Sequence, residues 1–318
     1  MRNPRHSRRI DGVLLLDKPA GLGSNAALQH IKRLYRAQRA GHTGTLDPMA
    51  SGLLPVCLGE ATKFAGGLLE SDKAYRAEVM LGVRTTTGDA EGEVISNRPV
   101  SAGEEQVRSV LERFRGSILQ VPPMYSALKR EGKPLYAYAR EGRTLDRVAR
   151  PVTVHALDVA GLHGARLEIY ADCSKGTYIR VLAEDIGEAL GCGAHLSGLV
   201  RDRIGRFFLQ QAHTMDEVEA MPEVERDRLL LPVDALLSQH PRVSLAPADA
   251  GRFVQGQRVF MGKDLQPGLI RVYGTGMGFL GTGTAEACGW IQPKRLVSLG
   301  ALPSGAAQGE SADPAVLE

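Results

Sequence analysis

The 318-residue sequence lacks the features that define several classes of protein. Its four cysteines are widely separated and form no Cys-x-x-Cys pair. Cys192 and His195 are close enough for half of a zinc site, but no second pair completes it. Scattered cysteines of this kind are typical of reduced thiols in a cytosolic protein. We therefore expect neither a metal site nor a disulfide framework.

Long apolar runs are also missing. The run from Val13 to Leu16 is too short for the core of a signal peptide, and no stretch approaches the roughly 20 residues of a membrane span. A Walker loop, a dinucleotide fingerprint and a Gly-x-Ser-x-Gly motif are absent as well. The sequence therefore predicts a soluble cytoplasmic protein that contacts no membrane and uses no nucleotide or flavin cofactor.

The net charge of +3 does not by itself indicate a nucleic-acid partner. Its distribution is more informative, because basic residues concentrate in residues 1–9 while the last residues are acidic and small. We expect a flexible basic arm over residues 1–9, which is either a solvated tail or a phosphate-binding strap. Residues 303–318 are expected to be a disordered tail.

Hydrophobic periodicity predicts an α+β protein, with strands of alternating or continuous apolar residues and amphipathic helices between them. Ser24 is expected to cap the first helix, and Thr214 with Glu217 has the spacing of a capping box. The predicted strands cover residues 12–16, 53–58, 74–81, 152–157 and 165–172. The predicted helices cover residues 25–35, 60–69, 104–114 and 177–190.

From about residue 247 glycines recur between short β-branched runs, a pattern typical of a small β domain with tight turns. We expect a main domain over residues 10–240, a linker near 238–247 and a second domain over residues 247–302. Within the main domain, residues 122–150 carry seven Lys or Arg residues interleaved with Tyr125, Tyr136 and Tyr138. This segment is either a nucleic-acid-binding excursion or a solvated helical hairpin.

The stretch from Gly41 to Gly52 is too rich in glycine and proline for a regular helix or strand. Asp47 lies in its middle and is followed by Pro48, so it either caps a short helix or serves as a reactive carboxylate. The other reactive groups in loops are few: Lys18, His42, Tyr75, Tyr178 and Arg180.

A lone carboxylate can act as nucleophile or base if a nearby cation keeps it ionised in a dry pocket. Arg180 could be that cation, because a guanidinium stays charged when it is buried. Tyrosines could stack on a flat substrate. The residues alone thus predict single-aspartate chemistry on a planar substrate, with a nucleic acid as the favoured class.

Five motifs occur in order along the chain. They are Gly12-Val-Leu-Leu-Leu-Asp-Lys-Pro-Ala-Gly21, Gly41-His-Thr-Gly-Thr-Leu-Asp-Pro48, Lys73-Ala-Tyr-Arg76, Cys173-Ser-Lys-Gly-Thr-Tyr-Ile-Arg180, and Gly193-Ala-His-Leu196 with the downstream Arg201. This set resembles the TruB family, the bacterial tRNA pseudouridine-55 synthases, from about residue 10 to about residue 300.

The resemblance implies a pseudouridine-synthase fold: a mixed, mainly antiparallel sheet flanked by helices, with a C-terminal PUA-like domain built as a small β-barrel. It also implies an enzyme that flips uridine 55 out of the T-loop of tRNA and isomerises it to pseudouridine. In that reaction the glycosidic bond breaks and the base is reattached through carbon 5, with no cofactor, no metal and no guide RNA. The enzyme is expected to be a monomer.

The resemblance also assigns roles to individual residues. Asp47 would be the essential carboxylate, and Arg180 would pair with it and keep it charged. Tyr75 would stack on the flipped base and act near carbon 5. The remaining substrate-binding residues would be Tyr178 and Leu199 in the pocket, His42 in the space left by flipped bases, and Lys18, which would support the pocket from the first turn. Residues 122–150 would be the insertion that holds the tRNA arm.

Three other functions fit parts of the sequence. A guide-RNA-dependent pseudouridine synthase subunit shares the aspartate motif and the PUA domain, but the insertion favours a stand-alone enzyme. A non-catalytic RNA chaperone is disfavoured as the sole role because Asp47, Tyr75 and Arg180 are all present, although tRNA folding is a plausible second activity. A glycosidase is disfavoured because no second carboxylate is evident.

Overall fold

The computed structural model describes residues 7–262 and 265–298. Most of the predicted basic arm and all of the predicted tail lie outside these ranges. The first 120 residues contribute seven strands and three helices to the described part: β1 (Gly12–Lys18), α1 (Ser24–Leu34), β2 (Ala40–His42), β3 (Ser51–Leu58), α2 (Gly66–Leu69), β4 (Lys73–Leu81), β5 (Val83–Thr85), β6 (Val94–Asn97), α3 (Glu104–Glu112) and β7 (Gly116–Gln120).

The middle of the chain contributes a second set of elements, which ends before residue 240: β8 (Lys129–Arg130), β9 (Lys133–Pro134), α4 (Leu135–Arg140), β10 (Arg150–His163), β11 (Arg166–Cys173), α5 (Ile179–Ala189), β12 (Ala194–Ile204), β13 (Phe207–Phe208), β14 (His213–Thr214), α6 (Met215–Ala220) and α7 (Glu223–Arg228). The last set consists of β15 (Arg242–Leu245), α8 (Pro247–Val254), β16 (Val259–Phe260), β17 (Gly268–Gly274), β18 (Gly278–Ala285) and β19 (Trp290–Leu296).

A ten-stranded sheet organises the first two sets. Its strand order is β14-β1-β3-β12-β4-β11-β10-β7, with β2 beside β3 and β13 beside β12. The β1–β14 and β3–β12 pairs are parallel, and the other ladders of this sheet are antiparallel. This confirms the predicted mixed, mainly antiparallel sheet.

Helices cover this sheet through apolar stripes at helical spacing. On α1 the buried stripe packs against β1 and β3. On α3 and α5 the buried residues join the core formed with β4, β10 and β11. The prediction of a helix over residues 60–69 is only partly right, because a 3₁₀ helix (Gly59–Phe64) comes first and α2 follows.

Within the described ranges, every helix is too short or too polar to span a lipid bilayer.

Two predicted helix caps have different outcomes. The capping box of Thr214 and Glu217 is present at the start of α6, where each side chain bonds the backbone N–H of the other residue. Ser24 is not a cap, because it is the first residue of α1 and its hydroxyl bonds Leu46 instead. Gly23 occupies the cap position.

The cap interpretation of Asp47 is also wrong. Pro48 and Met49 form a turn, closed by the bond from the Ala50 N–H to the Asp47 carbonyl, and β3 begins at Ser51. The chain enters β3 directly because Gly52 has φ of +101°, which lets it follow the turn and pair at once with β1 and β12. Asp47 therefore lies in a loop at the edge of the sheet.

Residues 122–149 lie outside the ten-stranded sheet, and Arg150 is the first residue of β10. They contain the two-stranded β8–β9 ladder and the six-residue α4. Leu135 and Tyr138 of α4 are buried, while the segment's basic side chains stay at the surface. Binding of a nucleic acid by this segment remains a prediction.

The last set of elements forms a separate five-stranded sheet in the order β15-β17-β18-β19-β16. It is a curled half-barrel, and α8 packs against it through Ala250 and Phe253. Its first strand, β15, lies inside the predicted linker, so the ordered β domain begins earlier than the composition suggests.

Gly52→Ala should lower the free energy of unfolding by about 2–4 kcal/mol. A Cβ at this position would lie 2.5 Å from the Arg201 carbonyl oxygen, so overpacking adds to the strain of a positive φ. Gly164→Ala is the matched control, because Gly164 has φ of +61° with nothing within 4 Å, and it should cost about 1–2 kcal/mol. Urea unfolding of both variants measures the difference, and equal losses would contradict the close approach.

Candidate active site

A cleft of about 290 Å³ opens beside the loop that carries Asp47. Five of the seven predicted site residues line it: Asp47, Tyr75, Tyr178, Arg180 and Leu199. They come from the loop before β3, from β4, from the start of α5 and from β12, so residues far apart in sequence meet because those strands are neighbours in the sheet. Lys18 and His42 are outside the lining.

Arg180 and Asp47 form an ion pair in the wall of the cleft. The Arg180 Nε lies 3.1 Å from Asp47 Oδ2. The arginine side chain is 6% exposed, whereas the carboxylate side chain keeps 38% of its surface accessible to the cleft. The cation is thus held in the protein while the acid faces the space where a substrate would lie.

Asp89 is a second acid on the same guanidinium, and the sequence analysis did not identify it. Its Oδ2 lies 3.2 Å from an Arg180 Nη, and its side chain is 4% exposed. Thr87 and Tyr125 offer backbone carbonyls to the same guanidinium, at 3.3 and 2.6 Å. Arg180 is therefore fixed on several sides and bridges a buried acid and an accessible one.

The turn that carries Asp89 is itself anchored. The Asp89 carboxylate accepts hydrogen bonds from the Thr87 hydroxyl and the Glu91 N–H, at 2.5 and 3.1 Å. Backbone bonds on both sides of Asp89 join Gly88 and Ala90 to Leu196 of β12. Asp89 therefore holds a set position relative to the sheet.

Burial in the cleft wall raises the pKa of Asp47 above the usual aspartate range. The positive charges of Arg180 and Lys18 act in the opposite direction, while Asp89 raises the pKa further. The pairing of Arg180 with Asp47 is as predicted, but the net direction of the pKa differs from the expectation, because desolvation has the largest effect. Asp47 is thus a carboxylate of raised basicity.

Tyr75 on β4 lies in the floor of the cleft and is 9% exposed. Burial raises the pKa of its hydroxyl, and the neighbouring Arg201 guanidinium opposes that shift. Arg201 is 1% exposed and donates to the carbonyls of Gly44 and Leu53, at 2.9 and 2.8 Å. This buried arginine therefore ties both ends of the Asp47 loop to β12.

Tyr178 is the residue before α5 and is half-buried in the cleft wall. The side chain of the buried Gln120 bonds both its N–H, at 3.0 Å, and its carbonyl, at 3.3 Å. Leu199 lies opposite Ala77 in the β12–β4 ladder and completes the apolar part of the lining. The lining thus contains three tyrosines, Tyr75, Tyr125 and Tyr178, together with Leu199 and other aliphatic side chains.

Lys18 is the last residue of β1. It is fully buried, and its Nζ donates to the carbonyls of Pro19 and Leu22, at 2.8 and 2.5 Å. Burial, together with the charge of Arg201, lowers the pKa of Lys18 to about 8. Lys18 therefore holds its own turn through two backbone carbonyls, and its support of the cleft remains a prediction.

His42 ends β2 and pairs with Val56 in the β2–β3 ladder. Its Nδ1 is buried without a hydrogen-bond partner among the described residues, and burial lowers the pKa of the imidazole.

Lys73 lines the cleft, and its pKa is lowered to about 8 by burial and by the charge of Arg201.

The described residues contain no group of three or more His, Cys, Asp or Glu side chains arranged to hold a metal ion. The cleft can bind a planar group beside aromatic rings and place an accessible carboxylate of raised pKa against it.

Few sequence signals could have revealed Arg201 and Asp89, the residues that hold the Asp47 loop and Arg180 in place. Arg201 was part of a motif, whereas Asp89 lies in a polar run that indicated only a turn.

Family models match almost the whole described chain. Residues 32–179 match the N-terminal domain of the TruB family pseudouridylate synthases. Residues 180–238 match the tRNA pseudouridylate synthase B C-terminal domain, and residues 241–297 match the C-terminal region of pseudouridine synthase II TruB.

Similar full-length proteins show the same family. A protein of Aromatoleum aromaticum named tRNA pseudouridine synthase B is 56% identical over 92% of this chain and 95% of its own length. Proteins of the same name from Burkholderia mallei and Methylobacillus flagellatus are 55% and 53% identical, over 94% and 93% of this chain and 98% of each relative. The chain belongs to the TruB family.

Solved structures agree with the fold of TruB proteins. A chain in the crystal structure of a Cbf5-Nop10-Gar1 complex superposes with a TM-score of 0.69 and 26% identity, covering 90% of this chain and 84% of that one. A chain in an H/ACA RNP structure bound to a substrate RNA also has a TM-score of 0.69, at 23% identity over 92% and 87%. The expected pseudouridine-synthase fold with a PUA-like C-terminal domain is confirmed.

Arg180→Gln should slow the reaction of this TruB protein at least about 100-fold. It should also move the acid limb of the activity profile to higher pH. The sign follows from Asp47: protonation as pH falls removes the carboxylate, and loss of the guanidinium raises its pKa further. The pH dependence of the single-turnover rate measures both effects.

The matched control is Arg98→Gln, which removes an exposed ion pair to Glu188 at the other end of α5. Its rate and acid limb should match those of the unmodified protein. An Arg180→Gln acid limb at unchanged or lower pH would contradict the electrostatic coupling between Arg180 and Asp47.

Proposed function

We propose that the protein isomerises uridine 55 in the T-loop of tRNA to pseudouridine, alone and without a guide RNA. The observation that carries the proposal is the accessible Asp47 carboxylate, paired with buried Arg180 beside two tyrosines in a TruB-family chain. The relatives quoted above are named tRNA pseudouridine synthase B, which supports tRNA as the substrate class.

A uridine within a folded tRNA must first leave its stack, which costs a few kcal/mol. Stacking on an aromatic side chain returns about 1–3 kcal/mol per base, and Tyr75 with Tyr178 would provide the rings. In the reaction the bond from N1 to the sugar carbon breaks, the uracil turns, and C5 bonds the same carbon. The proton released from C5 balances the one gained at N1, so no redox partner is needed.

Asp47 would act at the sugar or the base as the accessible carboxylate, and Arg180 would hold its charge. Tyr75 would lie near C5, with its hydroxyl beside the Arg201 guanidinium. Leu199 would pack on the flipped base, and His42 would fill the space that the base leaves. Lys18 would hold the turn below the cleft.

The proposal includes the organisation of the chain around this site. Residues 10–240 would form the catalytic domain, residues 247–302 the PUA-like RNA-binding domain, and residues 122–150 the insertion that grips the T-arm. The enzyme would work as a cytoplasmic monomer. Assistance to tRNA folding would be a second activity of the same RNA-binding surfaces.

The insertion carries the electrostatic part of this proposal. Lys129, Arg140, Arg143 and Arg150 are exposed and have no ion-pair partner among the described residues. By contrast, Arg108 on α3 is paired with Glu104 at 2.6 Å. Unpaired exposed cations are available for phosphate contacts, which dominate affinity for nucleic acids.

Replacing Arg140 and Arg143 together with Gln should weaken tRNA binding and leave kcat within about twofold. The slope of log affinity against log salt concentration should fall in magnitude by about 1–2, because each lost phosphate contact contributes roughly 0.7–0.9. Filter binding between 50 and 300 mM salt provides the slope. The control, Arg108→Gln with Arg98→Gln, removes two arginines that are already paired with glutamates and should keep the original slope. An equal change in both proteins would reject the insertion as the grip.

A guide-RNA-dependent subunit, which would share the aspartate motif and the PUA-like domain, is the second candidate. Release of the carbon-5 hydrogen label from a tRNA transcript separates the two. The protein alone should release label without any cofactor, and Asp47→Asn should slow release at least about 10³-fold. Label release that needs an added guide RNA would overturn the stand-alone function.

The same variant gives a stability readout. Because the pKa of Asp47 is raised in the folded state, the folded protein binds a proton at this carboxyl more tightly than the unfolded chain does. The free energy of unfolding of the wild-type protein therefore falls as pH rises through the window above the ordinary aspartate pKa. Asp47→Asn should therefore lose activity without losing stability at neutral pH. A variant that is inactive because it is unfolded would not support a catalytic Asp47.

A further inference from the structure

One hydroxyl holds the peptide groups that precede Asp47. Ser24 Oγ donates a hydrogen bond to the Leu46 carbonyl and accepts one from the Leu46 N–H, both at 2.8 Å. Ser24 and Leu46 are each 3% exposed, so water does not compete for these bonds. Ser24 is absent from the lining of the cleft, which excludes direct contact with a substrate there.

Within the described residues, Leu46 makes no other backbone hydrogen bond. A buried peptide group that loses its partner costs about 1–3 kcal/mol. Removing the Ser24 hydroxyl would leave the N–H and the carbonyl of Leu46 unpaired together. The loop would then relax toward water or toward new partners, and Asp47 would move with it.

The other end of this contact is rigid. Ser24 begins α1, whose residues Ala27 and Ile31 are fully buried against β1 and β3. The preceding turn also holds the residue after Asp47, because the Gly21 N–H donates to the Pro48 carbonyl at 2.8 Å. Both neighbours of Asp47 are thus fixed to one segment, residues 18–24.

The carboxylate has little to hold it apart from its backbone. Within the described residues, its one ion-pair partner is Arg180, and the side chain remains 38% exposed. The distance between the acid and the cation therefore depends on where the loop places the Asp47 backbone. A misplacement of about 1 Å in a catalytic group can cost roughly 100-fold in rate.

We propose that Ser24 is a positioning residue for the reaction: its hydroxyl fixes the Leu46 peptide and thereby the Asp47 carboxylate against Arg180. The proposal rests on the catalytic role of Asp47 proposed above. Ser24 contributes to the rate without contributing to tRNA affinity, because it is buried and lies outside the lining of the cleft.

Ser24→Ala tests the proposal in the full-length protein. We expect the single-turnover rate with saturating tRNA transcript to fall about 10- to 100-fold, with the Kd for tRNA within twofold of the unmodified protein. The acid limb of the rate profile should move to higher pH, since a looser pair with Arg180 stabilises the carboxylate less.

Tyr35→Phe is the matched control for stability. The fully buried Tyr35 follows the last turn of α1, at the opposite end of the helix from Ser24. Its hydroxyl donates to the Arg226 carbonyl at 2.8 Å. This variant also removes a buried hydroxyl-to-carbonyl bond anchored on α1. It should lower the melting temperature as Ser24→Ala does while leaving the rate and its pH profile unchanged.

Ser24→Thr keeps the hydroxyl and should recover most of the rate. The proposal is overturned if Ser24→Ala reacts within twofold of the unmodified protein, or if Tyr35→Phe loses as much rate as Ser24→Ala. An unmodified protein that forms no pseudouridine would instead reject the proposed function, so the two failures are distinguishable.

Discussion

The site depends on one guanidinium shared between two acids. Arg180 faces Asp47 with its Nε and Asp89 with an Nη, at 3.1 and 3.2 Å. The side chains of Arg180 and Asp89 are almost completely buried. A buried arginine without a carboxylate would be costly, and Asp89 offsets that cost inside the protein. Asp47 can therefore remain partly exposed to a substrate and still find a fixed positive charge beside it.

This arrangement explains why the surrounding elements are where they are. The glycines of the Asp47 loop do not fix its conformation by themselves. The loop is held by hydrogen bonds from neighbouring elements: Arg201 of β12, Ser24 of α1 and Gly21 of the first turn. The tyrosines come from β4 and from the start of α5, next to the same cation. Burial of the cleft wall also raises the pKa of Asp47, so the desolvation that shields Arg180 and Tyr75 from water acts on the carboxylate as well.

The sequence predicted much of the fold because apolar periodicity reports burial directly. The runs that became β1, β3 and β4 and the stripes of α1, α3 and α5 were recognisable for that reason. The motifs also indicated Asp47, Tyr75, Tyr178 and Arg180, and the family resemblance added Leu199. The structure brings these five residues to one cleft. Domain boundaries and catalytic roles remain predictions.

What could not be predicted involves contacts between distant segments. Asp89 lies in a polar turn with no local signature, and only the fold brings it within reach of Arg180. Ser24 has the residue type and position of a helix cap, so the sequence favoured the local interpretation over the bond to Leu46. The raised pKa of Asp47 was missed because burial, the larger effect, is a property of the assembled cleft.

The proposed enzyme isomerises one uridine of tRNA, at position 55, without a guide RNA. The most direct test is to incubate the purified protein with an unmodified tRNA transcript and map pseudouridine at nucleotide resolution by chemical labelling and primer extension. The account predicts one new pseudouridine, at position 55 in the T-loop, formed without guide RNA or cofactor. Pseudouridine at other positions, or none at position 55, would contradict it.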